Sequence, residues 1–414
     1  MEDDLQIVKR AKGGFIHLFA LIFLCFSHAV LASNPPAVDI LKLSNADIKT
    51  AQHERLFIQG IQTIGQGHIA VALQQFATLT TEAPDFRLAQ LIYGDLLLAQ
   101  AHPLSGFGNG ALANQRLNSL LEEARSRIRH WSAHNSANRI PASLLHLSHS
   151  QEKVVVVDVE NARLYLFHNE EGVPDLVADY YVSSGRNGAE KRWAGDKKTP
   201  VGLYFVTDYL PGNSLPDFYG SGALPLNYPN EWDKRHRRTG SGIWLHGTPT
   251  NTYSRPPRAS DGCVALTNLD FEFLEEQVGV GTPVIITENI EWLDPLEWKQ
   301  RKEIFLDQFQ SWSHDWLSHD LHRAIQHYSE GFHNHRHDFK EWQQVMPDMF
   351  NQWPAHTELP SDLSVIGYPG EKDLMVVTFS QSDVSNDLPR PVLRRQYWQM
   401  ESVGAWKIVY EDQG

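Results

Sequence analysis

Gly242 to Asn268 reads GIWLHGTPTNTYSRPPRASDGCVALTN. Ile243 to His246 has the apolar, β-favouring character of a strand, and His246 stands at its end. Cys263 follows 17 residues later, after Ser260-Asp261-Gly262 and before the apolar Val264-Ala265-Leu266. The intervening loop is stiffened by Pro249, Pro256 and Pro257 and would return the cysteine to the histidine. A cysteine nucleophile acts as its thiolate, and a nearby imidazole lowers the thiol pKa to supply one. Gly262 permits a tight turn, in which its own amide and that of Cys263 would face an oxyanion. The alternative is a buried, inert cysteine.

Around this stretch the sequence is strand-rich. Val154 to Val159 is a continuous β-branched run, as in a strand buried on both faces. Arg163 to Phe167 alternates behind a turn at Asn161. Leu176 to Val182, Gly202 to Tyr209 and Val284 to Thr287 are further expected strands, so residues 150–290 form a mostly-β domain. Residues 33–148 have helical spacing instead: Leu56, Ile61 and Ile64, then Ile69, Ala72, Leu73, Phe76 and Leu79, ending at Pro84. Leu117 to Trp131 is another expected helix. Ala72-Leu73…Phe76…Pro84, followed by Leu88, Leu91, Ile92 and Leu96, weakly resembles a tetratricopeptide hairpin, but one hairpin makes no solenoid. Ser105 to Gly110 is an expected loop and Ser132 to Ile140 an expected linker.

Beyond Trp292-Leu293-Asp294-Pro295, residues 296–414 begin helical. Phe305, Phe309, Trp312 and Trp316 share one helix face, an expected core stripe. Helices are expected over Leu321 to Phe339 and Trp342 to Phe350. Strands are expected at Leu363 to Gly367, Leu374 to Ser380, Val392 to Met400 and Trp406 to Tyr410. Helices followed by antiparallel strands give an α+β cone. The fold class is therefore multidomain: a helical region, a mostly-β domain and an α+β domain.

The 414 residues carry 36 Lys and Arg against 50 Asp and Glu, a formal charge of −14. That balance argues against nucleic acid as a partner, since binding there rests on neutralising phosphates. Two cysteines, Cys25 and Cys263, exclude a multi-disulfide framework and a cysteine-rich zinc site. Residues 1–32 have the form of an export signal: Lys9, Arg10 and Lys12, then the apolar Phe15 to Phe26, then Val30-Leu31-Ala32. Twelve apolar residues are fewer than the roughly 20 of a membrane span, so cleavage is expected over a retained anchor. Cleavage leaves an exported, periplasmic protein with the single thiol Cys263.

The HG…S-x-G-C pattern of His246, Gly247, Ser260, Gly262 and Cys263 resembles the L,D-transpeptidase (YkuD-domain) family. Ser184-Gly185-Arg186 and the Thr199-Pro200-Val201-Gly202 strand entry resemble further family motifs. The resemblance spans about residues 153 to 288. It implies a mostly-β catalytic domain and, with no cofactor, acyl transfer on peptidoglycan stem peptides. Cys263 would be the nucleophile and His246 the base, with Gly247 orienting the imidazole through its carbonyl. Ser260, Asp261 and Gly262 would shape the nucleophile turn. Asp261 stands where many members carry His, and Ala265 where many carry Arg or Asn, which bears on the acceptor. An amine acceptor gives a 3→3 crosslink; water gives L,D-carboxypeptidase activity. Attachment or release of an outer-membrane lipoprotein is a further reaction of such folds. Residues 296–414 resemble the nuclear-transport-factor-two-like fold, with YWQME and WKIVYE as its closing hairpin. The three-part layout also resembles cell-shape L,D-carboxypeptidases. A non-catalytic wall-binding scaffold is the reading from another class.

Arg255 and Arg258 flank the loop and would bind stem carboxylates, or else be solvated charges. Lys234, Arg235, Arg237 and Arg238 would attract an anionic substrate, or else form a solvated turn. His333, His335 and His337 fall in a stretch expected to be helical, which spreads alternate residues apart and suits no metal. Cys263, His246 and Asp261 match no zinc spacing either.

Overall fold

The computed structural model describes residues 45–101, 108, 115–132, 139–352, 359–383, 390–402 and 404–413. The export signal with Cys25, most of the Ser105 to Gly110 loop and residues 133–138 of the linker lie outside the described residues. No helix among the described residues is long and apolar enough to cross a membrane.

Helices α1 (Asn45–Gly65), α2 (Ile69–Glu82), α3 (Arg87–Ala99) and α4 (Gln115–Ser132) come first. The helical run expected through Glu82 is two helices, divided at Gly67, whose φ of 80° no helix accommodates. Phe57, Phe76, Phe86 and Ile92 meet in their common core. Helix ends at Ser132, so the helical reading of residues up to 148 is too long. Ile140 to His146 is extended, as β1 (Ile140–Pro141) and β2 (Leu144–His146).

The central region supplies β3 (Lys153–Asp158), β4 (Arg163–Glu170), β5 (Val173–Tyr181), β6 (Ser184–Gly185), β7 (Gly202–Phe205), β8 (Leu210–Pro211) and β9 (Gly222–Pro225). The short helix α5 (Glu231–Arg235) follows, then β10 (Trp244–His246), β11 (Arg258–Ser260), β12 (Val264–Ala265), α6 (Asn268–Gln277), β13 (Pro283–Thr287) and β14 (Trp292–Leu293). One sheet has the order β5-β4-β3-β13-β7. A second, β12-β10-β9-β8, carries the histidine strand.

The continuous valine run is explained by where its two faces point. Val155 and Val157 face the core beneath the second sheet, with Leu245, Val264 and Phe271. Val154 and Val156 face the opposite way, into the core of the C-terminal domain. β13 divides in the same manner, with Val284 and Ile286 on one side and Ile285 on the other. Polar residues could not occupy either face without losing hydration.

The C-terminal elements are α7 (Pro295–Leu317), α8 (Leu321–Gln326), β15 (Tyr328–His333), α9 (Phe339–Gln352), β16 (Ser361–Gly367), β17 (Leu374–Asp383), β18 (Arg390–Ser402) and β19 (Ala405–Gln413). Asp294 caps α7 by accepting from the amides of Leu296 and Glu297. The expected aromatic stripe is core: Phe305 meets Trp398 and Trp406, and Phe309 and Trp312 meet Phe379. The six-stranded sheet is ordered β15-β19-β18-β17-β16-β2. Its last strand comes from before the central region and covers what would be a bare edge at β16.

The helix expected over Leu321 to Phe339 forms only as far as Gln326. After Gln326 the chain extends, because Tyr328 and Phe332 insert beside Trp342 while β15 pairs in parallel with β19. His333, His335 and His337 therefore sit at a strand end and a turn. His335 bonds Tyr410 and Glu231, and the turn is closed by Asn334 accepting from the amides of Arg336 and His337. No group of three or more metal-ligating side chains occurs among the described residues.

Truncating Trp312, 1% exposed, tests the stripe. Trp312→Ala should lower the unfolding free energy by about 3–5 kcal/mol, measured by denaturant titration of tryptophan fluorescence.

Candidate active site

β10 places His246 between two neighbours. It is antiparallel to β9, with His246 opposite Ala223, and parallel to β12, with Leu245 opposite Val264 and His246 opposite Ala265. Cys263 directly precedes β12, so this register sets it alongside Trp244. The parallel pairing needs the long Gly247–Arg258 connection, which is why the two residues lie so far apart in sequence.

His246 is fully buried. Its Nδ1 lies 2.6 Å from the Gly247 carbonyl, which fixes the proton on Nδ1. Nε2 has no hydrogen-bond partner and carries the free lone pair. Tyr219 lies edge-on to the imidazole with centroids 5.2 Å apart, and Phe218 is at 6.0 Å. Burial pushes the imidazole down to about 4; the Gly247 carbonyl opposes this and the Arg255 charge adds to it. Burial pushes the Cys263 thiol up, against the Trp244 amide and the Arg255 charge, which pull it down. The Cys263 Sγ–H donates to the Gly242 carbonyl at 3.3 Å. Burial therefore disfavours the charged form of both groups. The lowered thiol pKa expected from sequence runs against this burial, which outweighs the charges that favour the thiolate.

The turn that leads into Cys263 is held by hydroxyls. Ser260 Oγ donates to the Cys263 carbonyl at 2.6 Å and accepts from the Gly262 amide at 3.1 Å. That amide is therefore committed to Ser260 and is not turned to an oxyanion, a second correction. Gly262 has φ 135°, and a Cβ there would lie 2.8 Å from the Lys198 carbonyl. Thr199 Oγ1 donates to the Gly262 carbonyl at 3.0 Å and accepts from the Gly185 amide at 2.8 Å. One buried hydroxyl thus joins three segments that the sequence marks separately. Gly247 must lack a side chain because a Cβ would strike Asn268 Oδ1, which accepts from the amides of Ser221 and Thr248.

The charged candidates separate. Arg255 is buried, stacks 4.2 Å from the Phe218 ring centroid and donates to the Phe218 carbonyl at 2.9 Å. Arg258 is half exposed and pairs with Glu160 at 2.7 Å, so it is not gathered into the site. Asp261 pairs with Arg186 at 2.5 Å, both exposed beside the turn that leads into Cys263. Lys191, which sequence reasoning missed, is buried against Asp196 at 2.7 Å, and its charge reaches Cys263. Two residues of the 234–238 cluster are not free for a substrate: Arg235 donates to the Val409 carbonyl, and Arg238 bridges Asp233 and Glu371. These residues join the central and C-terminal domains.

Comparison with known proteins accords with this geometry. The model of the YkuD L,D-transpeptidase catalytic domain matches residues 152–286, and that of the Cds6 C-terminal NTF2-like domain matches residues 304–412. The chain carries a YkuD catalytic domain and an NTF2-like domain. The structure of Bd1075 from Bdellovibrio bacteriovorus is similar at 26% identity and TM-score 0.58, covering 67% of this chain and 98% of that one. Pgp2 from Campylobacter jejuni, described as a helical cell shape determining protein, shares the fold at 22% identity and TM-score 0.56, covering 66% of this chain and 95% of that one. No curated protein sequence matches significantly. The YkuD match encloses His246, Cys263, Thr199 and Gly185, and the NTF2-like match begins inside α7.

Thr199→Val in this YkuD domain preserves volume but leaves the Gly185 amide and the Gly262 carbonyl unpaired. Unfolding free energy should fall by about 1–3 kcal/mol, measured by chemical denaturation. An unchanged stability would show that the hydroxyl does not hold the turn.

Proposed function

We propose that the protein is an exported, cysteine-dependent acyltransferase acting on peptidoglycan stem peptides, with Cys263 as nucleophile and His246 as general base. The observation that carries this reading is the state of His246. Its Nδ1 is engaged by Gly247, and its unpartnered Nε2 belongs to a neutral ring on the strand beside Cys263.

In the first half-reaction Nε2 takes the thiol proton as Sγ attacks the carbonyl of the third stem residue. The Sγ–C bond forms and the peptide C–N bond breaks. The proton passes from the imidazole to the departing amine of the terminal D-alanine. In the second half-reaction an incoming stem amine attacks the thioester, gives its proton to Nε2 and restores the thiol, leaving a 3→3 crosslink. The second reading replaces that amine by water and makes the protein an L,D-carboxypeptidase. It is favoured by the paired YkuD and NTF2-like domains, a layout shared with a neighbour described as determining cell shape. Attachment of a lipoprotein to the wall would use the same acyl-enzyme with a different amine.

Incubation with purified tetrapeptide muropeptides, followed by mass analysis, tests both readings. Dimers linked 3→3 are expected for transfer, and tripeptide monomers alone for trimming. Cys263→Ala should abolish either product and prevent acylation by a carbapenem; identical behaviour of wild type and Cys263→Ala would sink the enzyme reading.

The pH dependence follows from the depressed imidazole. A base protonated only near about 4 stays competent through mildly acidic solution. The acid limb of kcat/KM should therefore have its midpoint near 4. A limb near about 6.5, the ordinary histidine value, would show that His246 is solvated in the working enzyme.

A further inference from the structure

The loop joining His246 to Cys263 has few anchors of its own. Within it, the Thr252 amide donates to the Pro249 carbonyl, and Thr248 Oγ1 donates to the Thr252 carbonyl. Besides a 3.4 Å bond from Thr248 Oγ1 to the Tyr253 carbonyl, Tyr253 and Ser254 are held from the N-terminal helical region, and Arg255 by Tyr181 of β5. Tyr253 stacks on Phe86 with centroids 4.4 Å apart, bonds His53 Nδ1 through its hydroxyl at 3.3 Å, and donates its amide to the Asp85 carbonyl at 3.3 Å. Ser254 Oγ donates to Glu123 Oε1 at 2.7 Å. Glu123 is itself gripped by Arg127 through Nε at 3.1 Å and Nη2 at 3.0 Å. Arg127, 2% exposed and also paired with Glu54, lies 4.0 Å above the ring of Tyr181. The Tyr181 hydroxyl then donates to the Arg255 carbonyl at 2.9 Å.

Three consecutive loop residues are thus held by, or through, α1 to α4. The third of them, Arg255, has a buried guanidinium over the Phe218 ring, whose centroid lies 6.0 Å from that of the His246 imidazole. Among the described residues it has no carboxylate partner, only the Phe218 carbonyl and ring. A guanidinium has five donors in a planar fork, so most remain for an anion. One third of the chain is not covered by the Bd1075 structure.

We propose that the N-terminal helices are a positioning element of the active site: by clamping Tyr253 and Ser254, and Arg255 through Tyr181, they hold the Arg255 guanidinium where it meets a carboxylate or oxyanion of the substrate. This rests on the acyl-transfer reading for the identity of the anion, but the clamp itself does not. Tyr253, Ser254, Glu123, Arg127 and Tyr181 are positioning residues, and Arg255 is the group that would touch substrate. The charges acting on the thiol are Arg255, Asp261 and Lys191. Of these, only Arg255 is among the three clamped residues; Asp261 follows them on the same loop and Lys191 stands on another.

The test uses the full chain and two readouts. The first is the pH profile of Cys263 alkylation by iodoacetamide, which needs no muropeptide. The second is kcat and KM on tetrapeptide muropeptides. Tyr253→Ala should shift the alkylation midpoint to higher pH by roughly one unit, since a displaced cation no longer favours the thiolate. It should also lower kcat/KM by about 10- to 100-fold. In an Arg255→Met background Tyr253→Ala should add little to either change, and Arg255→Lys should restore part of the midpoint. Full, independent effects of Tyr253→Ala in the Arg255→Met background would overturn the proposal, as would an unmoved alkylation profile. Should Tyr253→Ala fail to fold, Ser254→Ala serves the same comparison, because it deletes only the hydroxyl that bonds Glu123 of α4. A chain with the expected alkylation shifts but no action on muropeptides would retain the clamp and lose the function reading.

Discussion

The five-stranded sheet of the catalytic domain is buried on both faces, and the rest of the molecule is arranged to satisfy that constraint. Val155 and Val157 need the histidine-bearing sheet on one side; Val154 and Val156 need the C-terminal domain on the other. Removing the C-terminal domain would expose alternate residues of β3, β4 and β13 together. The domains therefore share one core. β2, which precedes the catalytic domain and pairs into the C-terminal sheet, ties that arrangement in the chain itself. Tyr368 and Trp232 complete it: the Tyr368 hydroxyl accepts from Asn230 Nδ2 at 3.0 Å, and Trp232 stacks on Tyr397 at 5.2 Å.

Burial also decides the chemistry of the site. The charged forms of His246 and Cys263 are both disfavoured here, because neither charge would be hydrated. The pair then depends on tautomer and placement. Gly247 sets the tautomer with its carbonyl, and Ser260 and Thr199 set the placement with hydroxyls that bond backbone on two sides. Glycine is required where backbone crowds backbone, as at Gly262 against Lys198. The positive charges felt by Cys263 come from Arg255 and Lys191, both buried and supplied by separate loops.

Elements whose local pattern agrees with their environment were legible in the sequence. The valine run, the Phe305 to Trp316 stripe and the closing hairpin each form what their periodicity predicts. Elements decided by distant partners were not. Tyr328 to His333 follows a helix and looks like its continuation, yet it is extended because β19, some 80 residues later, offers a parallel edge. Leu144 to His146 is too short to announce itself and exists only through β16. Arg255 and Arg258 are equivalent in sequence. One is buried against Phe218, and the other reaches Glu160 at the surface. The 234–238 cluster looks free until Glu371 and Val409 are brought to it.

By itself the sequence determined the reactive residue types and their order: a histidine ending a strand, a proline-stiffened loop, a glycine turn and a single candidate thiol. These are properties of neighbours along the chain. Only the tertiary structure decided the desolvation of that pair, the commitment of the Gly262 amide, the separate fates of the two arginines and the packing of the helical region against the loop. Each of these depends on desolvation or on a hydrogen bond between residues far apart in sequence, as with Ser254 on Glu123 and Tyr181 on Arg255. No local pattern encodes such a contact.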